Sequence, residues 1–216
     1  MIFTQYGCIG KKLPHSFSKI IHEKIGGYSY ELKELREEEV DSFMKNRDFK
    51  AINVTIPYKE TVIPYLDEIS DTAKAVGAVN TIVNRNGKLS GFNTDFYGLS
   101  ALIKKNDIDF SGKKVVILGS GGTSKTSLAV SKSLGAGEII RVSRTGNENS
   151  VTYDELYRSH TDADILINTT PVGMFPEIFA SPVELDKFFS LCGVIDAVYN
   201  PLTTQLVADA KKRGIK

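Results

Sequence analysis

The chain has 216 residues, 41% hydrophobic and 25% charged, and its 27 basic and 26 acidic side chains leave a formal net charge of +1. That apolar content suffices for one large or two modest α/β domains, and the even mixture of charges argues against a nucleic-acid partner. No apolar run approaches the about 18 residues that cross a membrane. The first residues read as a strand rather than a signal peptide. Cys8 and Cys192 sit far apart in sequence, without metal-ligand or disulfide-scaffold spacing. They are expected to be free thiols in a reducing cytoplasm, and no metal is expected.

In chain order, strands are expected over Phe3–Ile9, Tyr28–Leu32 and Ala51–Val54. Between the last two, Glu37–Arg47 places Val40, Phe43 and Met44 on one helical face and clusters acids in its first turn. Thr81–Val83 and Leu89–Phe92 flank Asn86-Gly87, the signal of a type I′ hairpin. From Asp95 the spacing of Phe96, Leu99, Leu102 and Ile103 is helical, followed by a polar turn over Asp107–Gly112. The second half then alternates: strand Val115–Leu118, helix Thr123–Leu134, strand Glu138–Val142, a helix around Tyr153–Arg158, strands Ile165–Asn168 and Val194–Ala197, and helix Thr203–Arg213. Gly214 reads as its C-cap, and Ile215-Lys216 could begin a further strand, as though an element should follow. This pattern points to two α/β domains, 1–95 and 96–216, with the helix after Asp95 as the connection.

The stretch Val115-Val116-Ile117-Leu118-Gly119-Ser120-Gly121-Gly122-Thr123 is the strand–turn–helix that cradles a dinucleotide pyrophosphate. The next strand ends in Ser143-Arg144-Thr145, where an NAD-binding unit would carry Asp or Glu, so Arg144 argues for a 2′-phosphate and NADP. Four blocks in the first half carry further polar groups. Ser16 and Ser18, spaced by one residue at a helix start, could bind a carboxylate or merely cap the helix. Lys59 follows the strand end Asn53-Val54-Thr55-Ile56-Pro57, where ligands gather in open α/β sheets, though a lone lysine is usually a solvated charge. Asn80-Thr81 is a polar pair in an apolar segment, and Thr94 or Asp95 could simply cap the following helix.

Taken together, the blocks HSFS, NVTIPYKE, AVGAVNT, GFNTD, GSGGTSK, SRT, NTTPVGM and DAVYNP resemble the shikimate dehydrogenase family along the whole chain. The resemblance implies an N-terminal substrate domain and a Rossmann-like NADP domain with the active site in a cleft between them. It also implies reversible NADPH-dependent reduction of 3-dehydroshikimate to shikimate. Carried over by position, Lys59 and Asp95 match the catalytic pair. Ser16, Ser18, Thr55, Asn80 and Tyr199 match the substrate-binding residues. Gly119, Ser120, Gly121, Gly122 and Thr123 match the phosphate loop; Ser143, Arg144 and Thr145 match the adenosine-phosphate site, and Asp71 and Ala197 match further cofactor contacts. Val172-Gly173-Met174 is expected at the nicotinamide end. The chain departs from the family at Lys12, Lys19 and Glu23, and has Glu148 where a second basic residue is common. The family's C-terminal segment, with a glutamine that helps bind substrate, is not found. The expected protein is a cytoplasmic monomer or homodimer. Two alternatives stay open: a quinate-using relative that accepts NAD, and a catalytically silent dinucleotide-binding module of a longer polypeptide.

Overall fold

The computed structural model describes residues 5–13 and 16–216. Expectations on Phe3, Thr4, Pro14 and His15 lie outside them. The chain divides into two compact units, Met1–Asp95 and Phe96–Lys216. No helix among the described residues is long and apolar enough to cross a membrane.

The first unit is built on a six-stranded sheet. Its elements are β1 (Tyr6–Gly10), α1 (Ser18–Gly26), β2 (Glu31–Glu34), α2 (Glu37–Asn46), β3 (Ala51–Val54), β4 (Glu68–Ile69), α3 (Asp71–Val76), β5 (Thr81–Arg85), β6 (Lys88–Phe92) and the first residues of α4 (Thr94–Lys105). The strand order is β2-β1-β3-β5-β6-β4, and only β5 runs antiparallel to its neighbours. Asn86 and Gly87 both have positive φ (55° and 87°), the type I′ geometry that the right-handed twist of a hairpin favours. Ile9, Ile52, Val54, Ile82 and Leu89 pack with Val40 and Met44 of α2 and Ala73 of α3 into one core. Cys8, Leu13 and Tyr30 form a smaller cluster elsewhere in the unit.

Two differences from expectation belong to this unit. The second strand starts at Glu31 rather than Tyr28. Gly27, left-handed at φ 64°, ends α1; the Tyr28 ring then packs at a tilt against Tyr6, centroids 4.4 Å apart, and the Tyr30 N–H goes to the Glu23 carboxylate at 3.1 Å. With that donor diverted, pairing to β1 begins at Gly7 with Glu31. The short elements β4 and α3 have no repeating apolar pattern long enough to mark them. Ser70 caps α3, its hydroxyl accepting the Ala73 N–H at 3.3 Å.

The second unit is a four-stranded parallel sheet, β10-β9-β7-β8, from β7 (Lys114–Leu118), β8 (Glu138–Val142), β9 (Ile165–Asn168) and β10 (Gly193–Asp196). Helices α5 (Gly122–Ser133), α6 (Tyr153–Ser159) and α7 (Gln205–Lys212) complete it. Both faces are buried, so alternate residues of one strand enter different cores. Val116, Leu118 and Leu166 pack with Leu156, Leu206 and Ala210. Val115, Ile117, Ile165 and Ile167 pack with Ile103, Phe110 and Val130. This is why β7 and β9 read as unbroken apolar runs. Gly214, at φ 70°, lies one residue past the observed cap, Arg213. Ile215-Lys216 form no strand, but the Lys216 carbonyl accepts the Val194 N–H at 2.8 Å.

Candidate active site

Strand direction collects the polar blocks of the first unit at one end of its sheet. Ser16 and Ser18 follow β1, Thr55 and Lys59 follow β3, and Asp95 follows β6. Because β5 alone is reversed, Asn80, just before it, reaches that same end, opposite Asn53 through the Asn53–Thr81 register and beside Phe92 through Thr81–Phe92. Gathering at the carboxyl ends of strands is where open α/β sheets bind ligands.

The turn carrying Lys59 is held from below. Tyr58 is 1% exposed and its hydroxyl donates to the Leu35 carbonyl at 2.6 Å. The backbone closes as the Thr55 N–H donates to Ile9 and the Tyr58 N–H to Thr55. The Lys59 carbonyl accepts the Val79 N–H at 2.8 Å. With its backbone fixed, Lys59 extends an ammonium to the Asp95 carboxylate, Nζ to Oδ2 2.6 Å, with the lysine side chain 15% exposed and the aspartate 41%. A proton donor or acceptor is thus paired with a carboxylate that solvent and ligand can still reach.

The helix start that carries Asp95 is in turn held by Asn80, through Thr94. Thr94 and Asp95 are the first two helical residues of α4 rather than its cap. The Thr94 N–H donates to Asn80 Oδ1 at 2.8 Å, and Asn80 Nδ2 donates to the Thr94 hydroxyl at 3.0 Å. Asn80 is 6% exposed. Sequence reading named Asn80 for ligand binding; the structure adds that its carbonyl oxygen holds the start of α4. Asn53 and Thr81 join the same network. Both stand in blocks that the sequence marked, Asn53 at the strand end before Lys59 and Thr81 in the polar pair with Asn80, but neither was given a role of its own.

The Ser16 hydroxyl accepts the Ser18 N–H at 3.3 Å, but the N-cap of α1 is Phe17 and no side chain caps the helix, so the capping reading of this serine pair does not hold. No α1 residue is buried. The helix is held by His22, whose ring stacks on Tyr30 at 4.3 Å and whose Nδ1 is 2.8 Å from the Tyr28 hydroxyl. Glu23, one of the positions expected to depart from the family, anchors the helix through the Tyr30 N–H and pairs with another of them, Lys19, at 3.6 Å.

In the second unit the glycine loop follows β7. Gly119 has φ 111°, its N–H donates to Val142, and a Cβ there would lie 2.6 Å from Thr169 Oγ1, so only glycine fits. At Gly121, the N-cap of α5, an added Cβ would meet nothing within 4 Å. No side chain caps this helix and no acid stands in its first turn. Ser120 precedes this N-cap, and Gly122 and Thr123 begin the helix; an uncapped helix start with room beside Gly121 fits a pyrophosphate. After β8, the Ser143 hydroxyl accepts the Gly146 N–H at 3.1 Å and lies 2.8 Å from the Ser150 hydroxyl. That fastens a turn on which Arg144, Thr145 and Glu148 are exposed. After β9 and β10, Asn168 Nδ2 donates to Asp196 at 2.9 Å, and the Thr204 hydroxyl donates to Asp196 at 2.7 Å. Burial pushes the Asp196 carboxyl above its ordinary range, opposed by the Thr204, Val198 and Asn168 donors. This cluster, also unforeseen, fixes the loops of Ala197 and Val172-Gly173-Met174, with Ala197 N–H on the Asn168 carbonyl and Asn168 Nδ2 on that of Val172.

Two other expected positions stand largely in the open. Asp71, the first residue of α3, is fully exposed and lies 3.9 Å from Lys74. Tyr199 is 60% exposed in the loop after β10.

Comparison with known proteins adds four findings. Residues 8–82 match the model of the shikimate dehydrogenase substrate binding domain. A shikimate dehydrogenase (NADP(+)) of Clostridium beijerinckii is 39% identical, the alignment covering 98% of this chain and 84% of that protein. Among solved structures, a shikimate dehydrogenase of Peptoclostridium difficile superposes with a TM-score of 0.86 at 36% identity, over 98% of this chain and 83% of that one. A Thermus thermophilus shikimate 5-dehydrogenase in complex with NADP(H) and shikimate gives 0.85 at 29% identity, over 99% and 86%.

Proposed function

Because the chain belongs to the shikimate dehydrogenase family, we propose that it is an NADP-dependent oxidoreductase that reversibly reduces 3-dehydroshikimate to shikimate in aromatic amino acid biosynthesis. The observation that carries this reading to particular residues is the Lys59–Asp95 contact of 2.6 Å at the carboxyl end of the first sheet.

Reduction of a ring ketone places negative charge on the carbonyl oxygen. NADPH, when bound, supplies the hydride. The Lys59 ammonium stabilises the developing alkoxide and delivers a proton to it; in the oxidative direction the neutral amine removes the hydroxyl proton. Asp95 orients the amine and accepts a hydrogen bond from a neighbouring ring hydroxyl. Ser16 and Ser18 take the ring carboxylate, while Thr55, Asn80 and Tyr199 take ring hydroxyls. A polar site of this kind rejects analogues that lack those hydroxyls, because its own groups would be left unpaired.

Backbone N–H groups of the 119–123 loop hold the pyrophosphate, and Arg144 holds the 2′-phosphate, with Ser143 and Thr145 shaping its turn and Ala197 and Asp71 as further cofactor contacts. The reading takes the enzyme as cytoplasmic, a monomer or homodimer, with no nucleic-acid or membrane partner. Its evenly mixed charges support the lack of a nucleic-acid partner, and its two free thiols support a reducing compartment.

The test is direct. NADPH absorbance is followed after adding 3-dehydroshikimate, and NADP reduction is followed with shikimate and with quinate in separate runs. Turnover with the shikimate pair and NADP is expected. Absence of turnover in both directions, by a folded chain, would remove the assignment.

A further inference from the structure

Tyr30 lies outside every block that marks the family, yet it is 2% exposed and aims a hydroxyl at the polar end of the sheet. From the residue preceding β2 it spans β1 beside Cys8 and donates to Asn53 Oδ1 on β3 at 2.5 Å. Burial, with the nearby Cys8 and Tyr28, pushes its phenol well above the ordinary range, so it stays a donor throughout the working pH range.

From Tyr30 the donors run in one direction as far as Asn80 Oδ1, where they meet the Thr94 N–H coming from α4. Asn53, its Oδ1 committed to Tyr30, turns Nδ2 toward the Thr81 hydroxyl (3.1 Å) and the Asn80 carbonyl (3.4 Å). Thr81, receiving a donor, passes its own hydrogen to Asn80 Oδ1 at 3.1 Å. Asn80 Oδ1 also accepts the Thr94 N–H at 2.8 Å, and Thr94 precedes Asp95. Chains that donate head to tail reinforce one another, and each amide can adopt only one of its two orientations while the chain is intact.

We propose that Tyr30 is a positioning residue for the Lys59–Asp95 pair, acting through Asn53, Thr81 and Asn80 on the first turn of α4. This rests on the shikimate dehydrogenase reading for its effect on turnover, but not for the relay itself. Without the phenolic hydrogen, Asn53 is free to flip and present Oδ1 to Thr81. The threonine then donates to Asn53 instead of Asn80, and Asn80 Oδ1, still accepting the Thr94 N–H, loses the second donor that holds it in place against α4. The His22 stack on the Tyr30 ring, which needs no hydroxyl, remains.

The experiment compares the wild-type chain with Tyr30→Phe, Thr81→Val and Thr81→Ser. It records kcat and KM for shikimate, side-chain amide resonances of Asn53 and Asn80, and the Asp95 carboxyl carbon resonance. Tyr30→Phe and Thr81→Val are expected to lower kcat by about 5- to 100-fold, the range that misplacing a reacting group produces, and to shift the Asn80 and Asp95 resonances together. Thr81→Ser, which keeps the hydroxyl, is expected to match wild type. Should Tyr30→Phe fail to fold, Thr81→Val against Thr81→Ser carries the same decision. Wild-type kcat in Tyr30→Phe or Thr81→Val, or unshifted Asn80 and Asp95 resonances, would overturn the proposal. If the wild-type chain turns nothing over, the function assignment fails by itself. The resonances then decide the relay alone.

Discussion

Replacing Lys59 with methionine removes the ammonium while keeping a side chain of similar length and apolar stem. Its effect on stability and its effect on turnover differ enough in size to be separated. In the folded chain Lys59 Nζ lies 2.6 Å from Asp95, whose side chain is 41% exposed. An ion pair open to solvent on one side contributes roughly 0.2–1 kcal/mol. For a chain of this length that corresponds to a fall in Tm of at most about 4 °C. Loss of a positioned proton donor, by contrast, costs about 10²–10⁴-fold in rate, or about 2.7–5.4 kcal/mol of barrier. The expected outcome is therefore a kcat for shikimate oxidation reduced at least about 100-fold, a KM that changes little, and a melting curve close to wild type. Initial rates of NADPH formation and a thermal melt on the same preparation supply all three quantities. A kcat near wild type would take Lys59 out of the chemistry. A loss of activity that tracks a large fall in Tm would show that the contact serves the fold.

Four further outcomes are expected. Arg144→Ala should reduce kcat/KM for NADP by about 10- to 100-fold, the equivalent of one charge-assisted hydrogen bond, and leave NAD use unchanged; equal losses with both would deny Arg144 the 2′-phosphate. Ser124, Ser127 and Ser131 are each at most 1% exposed, and none of their hydroxyls has a hydrogen-bond partner among the described residues. Ser127→Ala should therefore raise stability by about 1 kcal/mol, since an unpartnered buried hydroxyl is penalised and alanine favours helix; a lower Tm would show that the hydroxyl is satisfied. Thiol labelling near neutral pH should modify the exposed Cys192 and spare the buried Cys8, whose thiol is pushed up to about 11 by burial against the opposing pull of Lys59; equal labelling rates in the native chain would contradict that burial. Gly119→Ala should lower both Tm and NADP affinity, because its Cβ would crowd Thr169 at a φ of 111°; NADP binding measured by calorimetry at wild-type strength would refute the tight-turn argument.

How far the sequence alone reached can be judged from particular elements. Strands β3, β8 and β9 have the bounds expected of them, because β-branched runs ended by polar or glycine residues leave little freedom of register. The type I′ turn was equally clear from Asn86-Gly87, the residues that tolerate its positive φ values. The glycine loop and the lysine after β3 could be read as candidates from local chemistry. What local chemistry could not supply was the start of β2, where a carboxylate eight residues before Glu31 takes a donor from the ladder. Nor could it supply β4 and α3, too short to show a period.

The amino-acid order determined which groups this protein has available: an amine after one strand, a carboxylate after another, a glycine-rich helix start and an arginine beyond the next strand. Tertiary structure alone decided that Lys59 meets Asp95, and that Tyr30, Asn53, Thr81 and Asn80 align as one chain of donors behind them. The reason is that β5 runs against its neighbours. One reversed strand brings Asn80 to the end of the sheet where the other strands finish, and strand direction is set by pairing between distant segments rather than by any residue's own neighbours.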